Sequence, residues 1–164
     1  MMVGSSILAT SCSEKSTNSM WNDKNPFYEV SNLPYHTADF SKIKDEDFKP
    51  ALLQGMIEQL AEIDKIANNS EEPTFENTLV EMEKSGQLLS RVSHVFNLLT
   101  GANTNETLQA VEEEMSPKFA AHSDAIYLND KLFQRVKKLH DSKQTLNLDK
   151  ESSRLLSTFR VGWS

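Results

Sequence analysis

The sequence predicts an all-α protein in which about five antiparallel helices follow one another behind an extended N-terminal arm. Apolar residues recur at steps of three and four, the spacing that places them on one face of a helix. No stretch of useful length alternates apolar and polar residues as a half-buried strand does. The 164 residues, 38% of them hydrophobic and 25% charged, are enough for one globular domain with its own core.

Residues 26–44 are predicted to form the arm. The segment contains two prolines, which disfavour helix at and just before their own positions. Its aromatic side chains are scattered rather than periodic. We therefore expect an extended segment that holds Phe27, Tyr35 and Phe40 against the helices.

The first helix is predicted to begin near Asp45 or Asp47, since either carboxylate can accept a hydrogen bond from an unpaired backbone N–H at the helix start. It should end at Asn68-Asn69-Ser70, before Pro73. Its apolar face is predicted to comprise Phe48, Leu52, Met56, Leu60, Ile63 and Ala67.

The second helix is predicted to be the longest, at about seven turns of 3.6 residues. Thr74 is the expected N-cap, and Gly101-Ala102-Asn103 should close the helix. Gly86 lies on the apolar face and costs about 1 kcal/mol relative to Ala, so we expect a close approach by another helix there. The face comprises Phe75, Leu79, Met82, Gly86, Leu89, Val92, Phe96 and Leu99.

Three further helices are predicted. The third should begin at Thr104 or Asn105, and Pro117 should kink or split it because proline lacks an N–H. Asp130 and Asp149 are the expected N-caps of the fourth and fifth. The three apolar faces are Leu108, Val111, Met115, Phe119, His122 and Ile126; Leu132, Phe133, Val136 and Leu139; and Leu155, Leu156 and Phe159.

The charge pattern argues against a nucleic-acid partner. The formal net charge is −7, and Lys and Arg are interleaved with acidic residues, whereas binding to phosphates needs a positive patch. The acidic run at residues 112–114 and the acids Glu76, Glu81 and Glu83 are interpreted as solvated helix faces. The sequence contains neither a Gly-rich phosphate-binding motif nor an apolar run long enough to span a bilayer.

Cys12, the one cysteine, follows the short apolar run Ile7-Leu8-Ala9 and two small residues. This order resembles the end of a bacterial lipoprotein signal, in which the cysteine is acylated and attaches the chain to the cell envelope. Residues 1–24 would then be a signal-like tail and linker. The alternative is a cytoplasmic chain with a disordered tail and a free thiol, because no Lys or Arg precedes the cysteine and the apolar run is short.

No catalytic, cofactor-binding or metal-binding residue is predicted in this chain. A zinc peptidase helix would carry His-Glu-x-x-His, in which two histidines one turn apart bind the metal and the glutamate activates water. None of the histidines, which are His36, His94, His122 and His140, is followed by Glu. We expect His122 to be a hydrogen-bonded interhelical residue, His94 to pack or cap at an interface, and His140 to lie at a helix C-terminus.

Stretches distributed over residues 25–159 resemble the N-terminal region of the thimet-oligopeptidase-type zinc metallopeptidases, in the branch of peptidyl-dipeptidase Dcp and oligopeptidase A. The match covers most of the chain and is therefore more specific than one motif. The matching stretches are Asn25-Pro26-Phe27, Leu33-Pro34-Tyr35, Asp45-Glu46-Asp47-Phe48-Lys49-Pro50-Ala51, Pro73-Thr74-Phe75-Glu76-Asn77-Thr78, Glu83-Lys84-Ser85-Gly86, Ala102-Asn103-Thr104-Asn105, Ser116-Pro117-Lys118, Ala121-His122-Ser123-Asp124-Ala125-Ile126 and Leu148-Asp149-Lys150-Glu151-Ser152-Ser153-Arg154-Leu155-Leu156.

The resemblance implies a two-lobed, mostly helical zinc enzyme that releases dipeptides from the C-termini of short peptides. Residues 25–159 would be its N-terminal helical domain, in the lobe that walls a deep channel. The family's metal-binding helix lies further along the chain, so no zinc ligand or catalytic role is carried over to any residue here. The chain alone is therefore expected to bind no zinc and to be inactive.

Residues 160–164 depart from the family's pattern, which leads us to expect a truncated or frameshifted product. Its partner would then be the missing C-terminal catalytic region, and helix faces shaped for that region should be exposed. The alternative, from another class, is a freestanding non-catalytic binding or structural module, possibly a lipoprotein.

Overall fold

The computed structural model describes residues 21–144, 146 and 148–161, with side chains up to Phe159. This part of the chain is helical and contains no strand, so the predicted all-α fold is confirmed. The predictions for Cys12 and for residues 162–164 lie outside the described residues. The helices are α1 (Asp45–Ala67), α2 (Glu81–Lys84), α3 (Gln87–Ala102), α4 (Glu106–Tyr127), α5 (Asp130–Asp141) and α6 (Lys150–Val161), with a 3₁₀ turn at Pro34–His36 and a π-helical segment at Phe75–Val80.

Helix α1 is the central element because its two halves contribute to two different hydrophobic clusters. The half from Phe48 to Met56 packs against α3 and α4. The half from Ile63 to Ala67 packs against the π-helical segment, α5 and α6. Of the predicted face of this helix, all residues are buried except Leu60, which is half-buried.

The start of α1 differs in one detail from the prediction. Lys44, not Asp45 or Asp47, occupies the N-cap position. Asp47 Oδ2 accepts a hydrogen bond from the Lys44 backbone N–H at 2.8 Å. The expected carboxylate is therefore used, but it reaches back from the third helical position, as the acidic residue of a capping box does.

The predicted second helix is broken, so the expectation of one continuous helix of about seven turns is wrong. Ser85 and Gly86 interrupt it, and Gly86 adopts φ +71°, a left-handed conformation that glycine adopts without steric cost. Its backbone N–H is bonded to Glu62 Oε2 of α1 at 2.7 Å. The Ser85 hydroxyl donates to the Met82 carbonyl at 2.7 Å. Both sides of the break are thus hydrogen-bonded.

The break has a packing reason. Leu79 and Met82, before it, belong to the cluster with α5 and α6, whereas Leu89 and Val92, after it, belong to the cluster with α4. A continuous helix would hold all four on one straight face. Because of the turn at Gly86, the residues of one predicted apolar face pack in two different hydrophobic clusters.

Helix α4 is continuous through Pro117, so of the two predicted effects of this proline, a kink or a split, the split does not occur. Proline removes only the hydrogen bond to the carbonyl of Glu113, and both residues are exposed, so water can satisfy that carbonyl. Asn105 caps α4 as predicted, because its side chain accepts from the Leu108 N–H at 2.9 Å. The cap of α5 is Asn129 rather than the predicted Asp130, which is the first helical residue.

The other predicted caps are confirmed. Thr74 Oγ1 accepts from the Asn77 N–H at 3.0 Å, and Asp149 Oδ1 accepts from the Ser152 N–H at 2.8 Å. The hydrogen bonds that Ser152 donates to the Asp149 carboxylate hold the pKa of this carboxyl below its ordinary value. A carboxylate that stays ionised keeps its capping function to lower pH.

The arm is only partly as predicted. Phe27 is buried and its ring lies 5.4 Å from that of Phe48, but Tyr35 and Phe40 are exposed rather than held against the helices. The backbone fixes Phe27 in place. Arg91 Nη2 of α3 donates to the Phe27 carbonyl at 2.8 Å, and the Asn25 amide donates to the Asp47 carbonyl at 3.0 Å.

Candidate functional site

A polar junction joins α1, the helix break and α4 at the level where the two hydrophobic clusters meet. Gln59 on α1 is its centre. Its Nε2 lies 3.5 Å from Ser85 Oγ, and its Oε1 lies 2.8 Å from His122 Nε2. A Cβ at Gly86 would lie 2.5 Å from the Gln59 amide and would displace the end of that side chain, while the positive φ favours glycine at this position. The members of this junction are Gln59, Glu62, Ser85, Gly86 and His122.

The hydrogen bonds of the junction fix the state of His122. The Ser85 hydroxyl donates to a backbone carbonyl, so its oxygen accepts from Gln59 Nε2 and leaves Gln59 Oε1 to face His122. His122 Nε2 is therefore the donor in the neutral ring. Its Nδ1 is buried and has no partner among the described residues. Burial lowers the pKa of His122, since a second proton would place an uncompensated charge inside the protein.

The predicted role of His122 is therefore confirmed: it is a buried, hydrogen-bonded residue between helices. His140 lies in the last turn of α5, as predicted. His94 is exposed and does not pack in the core of the described residues, so its predicted place at an interface stays a prediction. His36 and His94 line one cavity, to which His122 and His140 do not contribute.

An apolar groove lies beside the junction, between α1 and α4. It has a volume of about 550 Å³. Ile57 is 53% exposed on its α1 side. The rim charge on α4 is Lys118, whose Nζ lies 3.9 Å from Glu114 Oε1. The groove is lined by Leu53, Met56, Ile57, Leu60, Lys118, Ala121 and His122.

A second cavity of about 450 Å³ lies between the arm and α3. His36 and His94 line it, together with Arg91, whose Nε is buried without a partner among the described residues. Tyr35 and His36 adopt positive φ of 58° and 56°, a conformation that costs non-glycine residues energy. The cavity's Lys42 is paired with Asp39 at 2.9 Å, so no excess charge indicates a particular ligand.

Arg135 is a buried cation that sequence reasoning missed. Its guanidinium donates to the backbone carbonyls of Asn69 and Glu71 at 2.8 and 3.0 Å, and to side-chain oxygens of Asn77 and Thr78 at 2.9 and 3.2 Å. Arginine's planar fork of donors suits this arrangement. The network fastens the loop after α1 to α5 and is structural. The sequence signal for a buried Arg135 was its position next to Val136, which lies on the apolar face of an amphipathic helix.

The described residues offer no metal site. Across residues 21–144, 146 and 148–161, no group of three or more His, Cys, Asp or Glu side chains is placed to hold an ion. The acidic residues on helix faces are exposed, as expected for solvated faces. These residues therefore do not fit the zinc that the family resemblance implies. Within the same range, no helix has the length and apolar character needed to cross a bilayer.

Comparison with known proteins gives two relatives of high similarity. The dipeptidyl carboxypeptidase of Salmonella typhimurium LT2 is 44% identical over 132 residues, and that of Escherichia coli K12 is 42% identical over 132 residues. Each match covers 80% of this chain but 19% of the relative, so the chain spans about a fifth of their length. No family model matches the chain. The resemblance found in the sequence motifs is confirmed.

Proposed function

We propose, since this chain is a relative of the dipeptidyl carboxypeptidase and oligopeptidase family, that it is a non-catalytic helical section of a zinc-dependent peptidyl-dipeptidase. The parent enzyme would release dipeptides from the C-termini of short peptides. The section represented here would form part of the lobe that walls the substrate channel. The zinc ligands and the general base would come from the catalytic region that this section partners.

The observation that carries this proposal is the identity of 42–44% over 132 residues to proteins named dipeptidyl carboxypeptidase. The matched length includes residues that fix the positions of the helices. Gly86, the cap Thr74 and the buried His122 all act by positioning helices. A scaffold role explains why similarity extends over a stretch without a reactive cluster.

Envelope attachment is a separate part of the proposal. Acylation of Cys12 would attach the section to a bacterial membrane by its lipid, while an unmodified Cys12 would leave the chain in the cytoplasm.

A segment exchange tests the function. The 132 matched residues of the Salmonella enzyme are replaced by the corresponding residues of this chain, and dipeptide release from a short peptide is measured. We expect the exchanged enzyme to retain activity within about tenfold of the parent, because the cores and caps of a shared fold are interchangeable when pattern and volume are kept. A folded exchanged enzyme without activity would contradict the proposal and favour an independent binding module. The matched control exchanges the same residues with those of the Escherichia coli relative.

A further inference from the structure

The proposed scaffold role does not explain the apolar groove between α1 and α4. Both helices are long, at 23 and 22 residues, and they pack against each other over part of their length. On the groove side Ile57 is left 53% exposed, and Leu53 and Leu60 are half-buried. The seam between two helices presents ridges and grooves of side chains that fit a third helix.

The charges around the groove favour an apolar occupant. Glu114 is shared by Lys118 at 3.9 Å and by Lys49 at 2.6 Å, so the lysine at the rim already has a counter-ion. His122 is neutral at the base of the groove because burial disfavours its charged form. Apart from Lys118 at the rim, the lining of the groove carries no charged side chain. An apolar helix face would bury Leu53, Ile57 and Leu60 without leaving a charge unpaired.

The length of the relatives identifies that occupant. About four fifths of each dipeptidyl carboxypeptidase lies outside the stretch that this chain matches. In the mostly helical enzyme that the resemblance implies, a region of that size would contain amphipathic helices, and these would pack against surfaces of the helical section. We infer that the groove lined by Leu53, Ile57, Leu60 and Ala121 receives an apolar helix face of the enzyme's catalytic region. This inference rests on the proposed function.

Thiol labelling tests it. Ile57→Cys is made in a Cys12→Ser background, both in this chain and in the Salmonella enzyme carrying the exchanged segment. The matched control is Leu98→Cys, since Leu98 is 57% exposed but lies on α3, outside the groove. The labelling rate of each introduced thiol with a maleimide is measured by mass spectrometry of the peptide that contains it.

We expect the thiol at position 57 to react at least about tenfold more slowly in the exchanged enzyme than in this chain, because a covered site reacts only through local opening. The thiol at position 98 should change less. Equal rates at position 57 in the two proteins, or equal slowing at both positions, would overturn the inference. The inference would also be overturned if labelling at position 57 of this chain became slower as the concentration of the chain was raised, because the occupant would then be a second copy.

The two proposals fail separately. An exchanged enzyme that is active but labels freely at position 57 keeps the proposed function and refutes the groove as the docking face. An exchanged enzyme that is folded but inactive contradicts the proposed function, and protection at position 57 is then judged on its own. Slow labelling in an active enzyme supports both.

Discussion

Replacing Gly55 by alanine should destabilise the chain even though alanine is the better helix former. Gly55 lies in the interior of α1 where the backbone of α3 crosses it. A Cβ built there would lie 2.7 Å from Leu89 Cα and 2.8 Å from Leu89 N. Carbon atoms in contact lie about 3.5–4.0 Å apart, and a backbone cannot turn away as a side chain can. The two helices would have to separate by roughly 1 Å.

The size of the effect follows from two opposing contributions. Glycine to alanine in a helix interior gains about 1 kcal/mol in propensity. Overpacking of a filled interface costs about 1–3 kcal/mol. The net expectation for Gly55→Ala is a loss of about 1 kcal/mol in the free energy of unfolding, with separation of the α1–α3 interface as its cause.

Gly101→Ala is the matched control, because Gly101 is also helical but a Cβ there meets no atom within 4 Å. It should stabilise by up to about 1 kcal/mol. Urea unfolding followed by circular dichroism gives both values. Because Gly101 lies in the last turn of α3, its propensity gain is smaller than that of Gly55, so the difference between the two variants is a lower bound on the steric cost of about 1–3 kcal/mol. Equal stabilisation by the two substitutions would refute the close approach of α1 and α3.

Three other predictions concern described contacts, and a fourth concerns Cys12. His122→Gln should flatten the loss of stability as pH falls below about 6.5: the pKa of His122 is lowered by burial, so the unfolded state takes up the proton first, and urea unfolding from pH 8 to 5 measures this. Arg135→Ala should lower the free energy of unfolding by about 3 kcal/mol, because the buried Thr78 hydroxyl and three partly buried oxygens lose their donor. The exposed Lys137→Ala should change it by less than about 0.5 kcal/mol in the same assay. Gly86→Ala should cost about 1–2 kcal/mol because φ is +71° there, and thermal melting should show it. Cys12→Ser should move the chain from the membrane to the soluble fraction of a bacterial host if the cysteine is acylated, which labelled palmitate checks.

Local features of this fold could be predicted from the sequence. The start of α4 at Asn105 and that of α6 after Asp149 depend on a side chain and the N–H groups two or three residues on, which one sequence window contains. The buried helix faces follow the helical period of 3.6 residues. This period correctly predicts that Phe48 and Leu52 lie in the core. Where two adjacent polar residues can both cap a helix, as Asn129 and Asp130 can, the local sequence does not determine which of them is the N-cap.

Features that depend on distant contacts could not be predicted. The apolar period continues through Gly86, so only the meeting of two cores reveals the break. The close contact of Gly55 with Leu89 and the groove beside Ile57 arise from how α1 packs on other helices. A glycine in a helix interior is a sequence signal for such a contact, and Gly55 carries it as Gly86 does.

The most direct test of the scaffold account is a peptidase assay on the purified 164-residue chain. A short peptide is incubated with the chain and added zinc, with and without a chelator, and dipeptide release is measured by mass spectrometry beside the Salmonella enzyme as the positive control. The account predicts release by the Salmonella enzyme alone. Release by this chain that the chelator abolishes would contradict it.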